Sequence, residues 1–307
     1  MDILSVLLII AGLCLFETIT SIDNAIINAE VLSTMGERAR RWFLVWGLLI
    51  AVVAIRGLLP WLIVWMSVLS LGPLGALTAT FSSNPLVIAA IEESAPILLM
   101  GGGTFLLFLF LHWLFLEEKQ FGLRGERYIS TKGVWFFAAV SILLTALVWF
   151  ALKVNSLVAF GAVVGSTAFF IVHGFRQNAQ EAERKMLNSS MSDVSKIFYL
   201  EVIDATFSID GVIGAFAFTM SVPLILIGNG IGAFVVRELT IRNVKNIGKY
   251  RFLKNGAMYS VLFLGIIMVL DGFSFHIPVW VSPLITFGVV GFFFFKSVRD
   301  VAPPSTE

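Results

Sequence analysis

The stretch "ETITSIDNAIINAE", Glu17 to Glu30, lies inside an apolar run of the length of a membrane span. It places Glu17, Asp23, Asn24 and Asn28 where a bilayer would have no water for them. "EVIDATFSIDGV", Glu201 to Val212, repeats the oddity later in the chain. The chain of 307 residues is 58% hydrophobic and only 13% charged, with a mean hydropathy of +0.93. Soluble domains carry about a quarter charged residues. Apolar runs of about 20 residues recur, each able to cross a bilayer as a helix. The fold class is therefore all-α, a polytopic helical membrane protein whose first partner is the lipid bilayer. A transmembrane β-barrel would alternate polar and apolar residues over strands of about ten residues.

Hydropathy and charge place nine spans, at about 3–31, 42–66, 97–116, 133–152, 156–175, 197–219, 222–241, 255–271 and 278–296. The N-terminus lacks a basic region and a small-residue cleavage site, so it reads as the first span. The segment from Ser67 to Pro96 is long for a loop and is expected to hold an interfacial or re-entrant piece. Eighteen of the 21 Lys and Arg residues fall on one side of this nine-span topology. Lys153 alone falls opposite, while Arg56 and Arg237 lie within spans. Basic loops face the cytoplasm, which puts the N-terminus outside and the C-terminus inside a cell membrane. The basic loops read as topology signals and head-group contacts, with no nucleic-acid partner.

The two odd stretches align as acid-x-x-x-Ser-Ile-Asp: Glu17 to Asp23 and Asp204 to Asp210. In the next span of each half a glycine stands nine residues before an arginine, Gly47 before Arg56 and Gly228 before Arg237. The motifs lie five spans apart, so their helices enter the membrane from opposite sides. This predicts an inverted-topology repeat, with a site at the repeat interface near the midplane. The first half is expected over 1–152 with its motif span Glu17–Asn28. A connecting span and cytoplasmic linker cover 153–196, and the second half 197–307 carries the motif span Glu201–Gly214.

An ionised side chain at mid-membrane costs about 2.5–3.5 kcal/mol on insertion scales, so four acids cost on the order of 10 kcal/mol. Pairing, hydrogen bonds, water, protonation or a bound cation must offset that. Glu17, Ser21, Asn24 and Asn28 form one narrow helical stripe. Asp23 sits about 100° round from Asn24, so either the polar sector is wide or the helix unwinds near Ser-Ile-Asp. Asp204, Ser208 and Gly211 share a stripe in the second copy, with Asp210 displaced. Every donor is an oxygen, which suits a hard divalent cation and disfavours thiolate chemistry. The metal-ligand set expected from the residues is Glu17, Ser21, Asp23, Asn24, Asp204, Ser208 and Asp210. If all converge with Arg56 and Arg237, the formal charge is −2, which one such cation neutralises; protonation of one carboxylate would offset it too. Arg56, Arg237 and Glu201 are expected as ion-pair or gating residues. The bland reading of the acids is helix-bonding glue.

Other features carry no chemistry. "MGGGTF", Met100 to Phe105, lacks a phosphate loop's Lys-Ser/Thr and reads as close helix packing. His112, His173 and His276 are scattered, and Cys14 has no disulfide partner. No nucleophile elbow or HExxH supports an enzyme.

At "ETITSIDN" and "DATFSIDG" the sequence resembles the TerC family of integral membrane proteins. That family carries acid-x-x-x-Ser-x-Asp-Asn in its first half and acid-x-x-Phe-Ser/Ala-x-Asp in its second. The resemblance implies metal-ion homeostasis, most often manganese export, with a link to tellurite resistance and kinship to the LysE-type transporter superfamily. By motif position it puts the metal-binding acids at Glu17, Asp23, Asp204 and Asp210, beside Asn24. Thr20, the Ser67–Pro96 segment and "LHWLFLEEK" at Leu111–Lys119 depart from the family pattern. The expected function is transport of a divalent cation, Mn²⁺ favoured, by alternating access with optional proton coupling. The cation is the substrate, and no permanent cofactor is expected. The alternatives are another substrate (Ca²⁺, H⁺ or Na⁺, an amino acid) or a non-transporting scaffold.

Overall fold

The structure, a computed structural model, describes residues 2–47, 50, 57–67, 72–78, 85–187, 191–247 and 249–301. No strand occurs among the described residues. Six described helical segments are long and apolar enough to cross a membrane: Ile3–Thr20, Glu93–Leu116, Gly133–Ala151, Ser156–Asn178, Leu253–Gly272 and Val281–Asp300. The protein is a polytopic helical membrane protein. Its outer surface carries Phe137, Trp149, Phe160 and Phe295, the side chains expected against lipid.

The first expected span divides into α1 (Ile3–Thr20) and α2 (Ile22–Ser33) at Ser21. Asp2 caps α1 by accepting from the Ser5 N–H at 3.3 Å, which satisfies one orphan donor of the first turn. A short α3 (Glu37–Trp42) leads into a π-helical turn over Phe43–Gly47. Most of the second expected span lies outside the described residues, with α4 (Leu58–Ser67) at its end. Within the Ser67–Pro96 segment, α5 (Gly72–Thr78) is tied back to α4, where Trp61 Nε1 donates to the Pro73 carbonyl at 2.8 Å.

Helix α6 (Pro85–Leu116) starts well before the expected residue 97 and runs through Pro96. The proline removes one backbone bond, which neighbouring helices allow inside a membrane bundle. There follow α7 (Arg124–Ser130), a 3₁₀ turn over Gly133–Trp135, α8 (Phe136–Ala151) and α9 (Ser156–Leu187). Helix α9 carries the expected linker's first residues into its own last turns. The sixth expected span is again two helices, α10 (Asp193–Phe207) and α11 (Ile209–Ala215), divided at Ser208. The chain closes with α12 (Val222–Ile247), α13 (Leu253–Gly272) and α14 (Val281–Val301).

Helix α6 is the bundle's spine. Inside the protein, 67% of its span is buried, against 22% of the peripheral Gly133–Ala151 segment. Its glycine triplet does this work. Gly101 lies on the backbone of Gly161 and Gly165 of α9, Gly102 on Met268 and Ile213, and Gly103 on the Gly265 carbonyl and Val269 of α13. Without side chains these backbones approach to van der Waals contact, the small-residue packing expected in membranes. Around it Phe105, Phe108, Trp113, Phe136 and Phe169 form the aromatic part of the core.

Polar residues fasten one end of the bundle. Glu126, 1% exposed, accepts from Gly122 N at 2.7 Å and from Asn255 Nδ2 at 3.0 Å. Lys296 Nζ donates to the Gly122 carbonyl. Lys119 Nζ donates to the Trp113 and Leu114 carbonyls, closing the C-terminus of α6; burial lowers its pKa to about 8.

Candidate functional site

Both motifs break at their serine, and in the same way. Ser21 has φ −91°, ψ −1° and Ser208 φ −80°, ψ −12°. Each still donates its N–H four residues back, Ser21 to the Glu17 carbonyl and Ser208 to the Asp204 carbonyl. Each break is therefore a one-residue kink with near-helical dihedrals, and no full turn is unwound. Of the two expected explanations for the scattered acids, the kink is present in this mild form.

Glu17 is 1% exposed. Its Oε1 accepts from Ser21 Oγ at 2.8 Å. A Cβ placed on Gly211 would stand 3.1 Å from Glu17 Oε2, and one on Gly232 would stand 2.7 Å from Glu17 Cβ. The first motif's acid thus reaches into the second half, against α11 one residue beyond Asp210 and against α12. At Gly232 only glycine leaves room for it, since a Cβ would also meet the Cys14 carbonyl at 2.9 Å; at Gly211 a Cβ would crowd the carboxylate.

Asp210 is held elsewhere. Arg176 of α9 donates from Nη2 to Asp210 Oδ1 at 2.8 Å, with the two side chains 15% and 18% exposed. The sequence reading placed Arg176 in the linker and looked to Arg237 for this part. Arg237 instead has its buried Nε without a hydrogen-bond partner among the described residues. It stands five residues beyond Gly232, about 7.5 Å along the helix, near the level of the Ser21 kink. Ser208 is buried beside the second kink, with Asp204 one turn earlier.

Glu201 comes from α10 and lies against Gly47, its Oε1 buried and, among the described residues, without a hydrogen-bond partner. Gly228 of α12 lies against Leu13 of α1. So the glycine following each motif receives the motif helix of the other half. The Leu13–Gly228 and Glu17–Gly232 contacts advance by four residues on both helices, so α1 and α12 run parallel.

The side chains of Asp23 and Asn24 and all of Arg56 lie outside the described residues. Among the described residues no three His, Cys, Asp or Glu side chains gather as a metal centre. Glu17, hydrogen-bonded by Ser21, is brought against Gly211, while Asp210 is turned onto Arg176. Sequence reading missed three participants. Arg176 closes an apolar run at Phe175, so it read as loop. Gly232 and Asn229 were legible as a Gly-x-x-x-Gly face carrying one amide, "LIGNGIGAF", but only the Gly228–Arg237 spacing was followed.

A family model described as "Protein of unknown function (DUF475)" matches residues 22–302. Among the curated proteins and the solved structures, nothing matches the chain. The matched region takes in Asp23, Asp204 and Asp210 and begins just beyond the Ser21 kink. The chain belongs to the DUF475 family.

Proposed function

We propose that this chain carries a divalent metal cation across a cell membrane through the interface of its two halves. Mn²⁺ export by alternating access is the form favoured by the motifs' likeness to the TerC pattern. The observation that carries the reading is Glu17, a carboxylate 1% exposed that faces the second motif at Gly211. Burying an acid in the membrane is costly and marks ion or proton pathways. The reciprocal seating of Gly47 on Glu201 and Gly228 on Leu13 supports an inverted repeat, the architecture that puts sites at such interfaces.

Glu17, Asp23, Asp204 and Asp210 supply the anionic oxygens, and Ser21, Ser208 and Asn24 the neutral ones. Arg176 holds Asp210 in this conformation and must release it for Asp210 to meet a cation, which makes Arg176 the gate on this reading. Glu17 or Asp204 is the group to exchange a proton. The basic loops put the N-terminus outside.

The test is Mn²⁺ flux in proteoliposomes. Glu17→Gln, Asp23→Asn and Asp210→Asn are each expected to lower flux at least tenfold. Flux equal to wild type in all three overturns the proposal. The Arg176–Asp210 pair favours a second reading, a polar core that bonds helices without transport. That reading predicts no flux of Mn²⁺, Ca²⁺, Na⁺, H⁺ or amino acids and no change of stability with metal.

A further inference from the structure

Asn229 is 0% exposed, and among the described residues neither its Oδ1 nor its Nδ2 has a hydrogen-bond partner. Several other buried side chains leave one polar atom unpaired among the described residues, Trp113 Nε1 and Asn255 Oδ1 among them, whereas Asn229 leaves both of its polar atoms so. Many buried hydroxyls and amides do find partners. Thr104, Ser260 and Thr286 each return a hydroxyl to their own helix at 2.8–2.9 Å. Asn255 donates to the Gln120 carbonyl and to Glu126. A helix-bonding amide would cross to a neighbour in the same way, and Asn229 does not.

Its place gives the orphaned amide a use. Gly228 lies on Leu13 and Gly232 on Cys14 and Glu17, so α12 meets α1 without side chains on either side of Asn229. Asn229 is three residues before Gly232, about 4.5 Å along the helix. It therefore stands about one turn from Glu17, toward the N-terminal end of α1. An amide oxygen is a neutral hard ligand suited to Mg²⁺, Ca²⁺ or Mn²⁺, and the amide nitrogen can donate to a water such an ion carries.

We infer that Asn229 is a cation ligand of the translocation path, one helical turn from Glu17. This rests on the cation-transport reading above. A neutral ligand beside a carboxylate gives the ion a weaker position to step onto, which conduction and release require.

The experiment uses the full chain in vesicles of phosphatidylethanolamine and phosphatidylglycerol. Thermal unfolding is followed against MnCl₂ concentration, and Mn²⁺ flux is measured on the same preparations. A site formed only in the folded state makes wild-type stability rise with metal. Asn229→Leu is expected to unfold at the wild-type temperature or higher without metal. It should need at least tenfold more Mn²⁺ for the same shift, and its flux should fall at least tenfold. Asn229→Asp should bind Mn²⁺ about tenfold more tightly and turn over more slowly. Wild-type Mn²⁺ dependence and flux in Asn229→Leu would make Asn229 a buried structural amide and overturn the inference alone. If Asn229→Leu does not fold, Asn229→Ala decides by the same criteria. Wild-type protein with neither Mn²⁺ response nor flux overturns the transport reading, and this inference with it.

Discussion

Arg176 and Asp210 make one ion pair at 2.8 Å between α9 and α11. Removing one partner of a mostly buried pair leaves an uncompensated charge and costs about 3 kcal/mol. Arg176→Ala should therefore lower the unfolding temperature, and the double change Arg176→Ala with Asp210→Asn should recover most of it. A double-mutant cycle by thermal unfolding in detergent checks this; additive losses would mean the pair contributes nothing. Ser21→Ala probes the other motif. It removes the 2.8 Å hydrogen bond to Glu17, worth about 0.5–1.5 kcal/mol, and should destabilise by about that amount while leaving the kink's backbone bond.

At the scale of the element, glycine spacing decides which helices meet. Gly161 and Gly165 of α9 lie on the carbonyls of Ile97 and Gly101 of α6. Gly165→Val has no flexible side chain to push aside, only backbone, so the expected outcome is failure to yield folded protein on size-exclusion chromatography. Gly125→Val meets nothing within 4 Å and should behave as wild type. The end of α6 carries a pH signature. Burial raises the Glu117 carboxyl, but its hydrogen bond to His112 and the Lys254 charge outweigh this and hold it at about 2, below the ordinary 4.5. Lys254 Nζ lies 3.1 Å away. A depressed carboxylate stabilises the fold fully above the unfolded value, and that contribution is lost as pH falls from about 4.5 toward 2. Unfolding temperature against pH should drop across that window in wild type and less so in Glu117→Gln.

The elements were unevenly legible for physical reasons. Apolar length marked the six candidate spans, because lipid leaves a helix no other option. The serine kinks were signalled by acids that fit no single helical face. The reach of α6 back to Pro85 and of α9 to Leu187 was not, because polar or Pro-containing turns look like loop when hydropathy alone is followed. Arg176 was missed for that reason: its partner is fixed by tertiary packing, which composition at the end of an apolar run does not encode. Glu17 was legible as an acid within an apolar span; its burial and its seating on Gly211 required the fold.

Over the whole molecule, helix directions bear on the topology. Glycine contacts set α1 parallel to α12 and α6 parallel to α9, and place α6 antiparallel to α13, where Gly272 meets Met100 and Gly265 meets Leu106. These contacts fix the relative direction of three helix pairs; the number of crossings between them is a separate expectation, which labelling from either side tests. Lys119 and Lys296 converge near Gly122 at one end, as a one-sided basic distribution requires. Single cysteines at Thr131 and Asn155, in a Cys14→Ala background, should therefore react with an impermeant thiol reagent from opposite sides of intact cells, Asn155 from outside. Labelling of both from one side would contradict the assigned orientation.

The central claim is that the two kinked motifs close around one cation between the halves. An experimental structure of the full chain with Mn²⁺, located by its anomalous scattering, tests it most directly. The account predicts one peak within about 2.5 Å of carboxylate oxygens from both motifs, Glu17 on one side and Asp210 on the other, with Arg176 swung away. A structure at saturating Mn²⁺ in which Asp210 stays on Arg176 and no peak lies near Glu17 would contradict it.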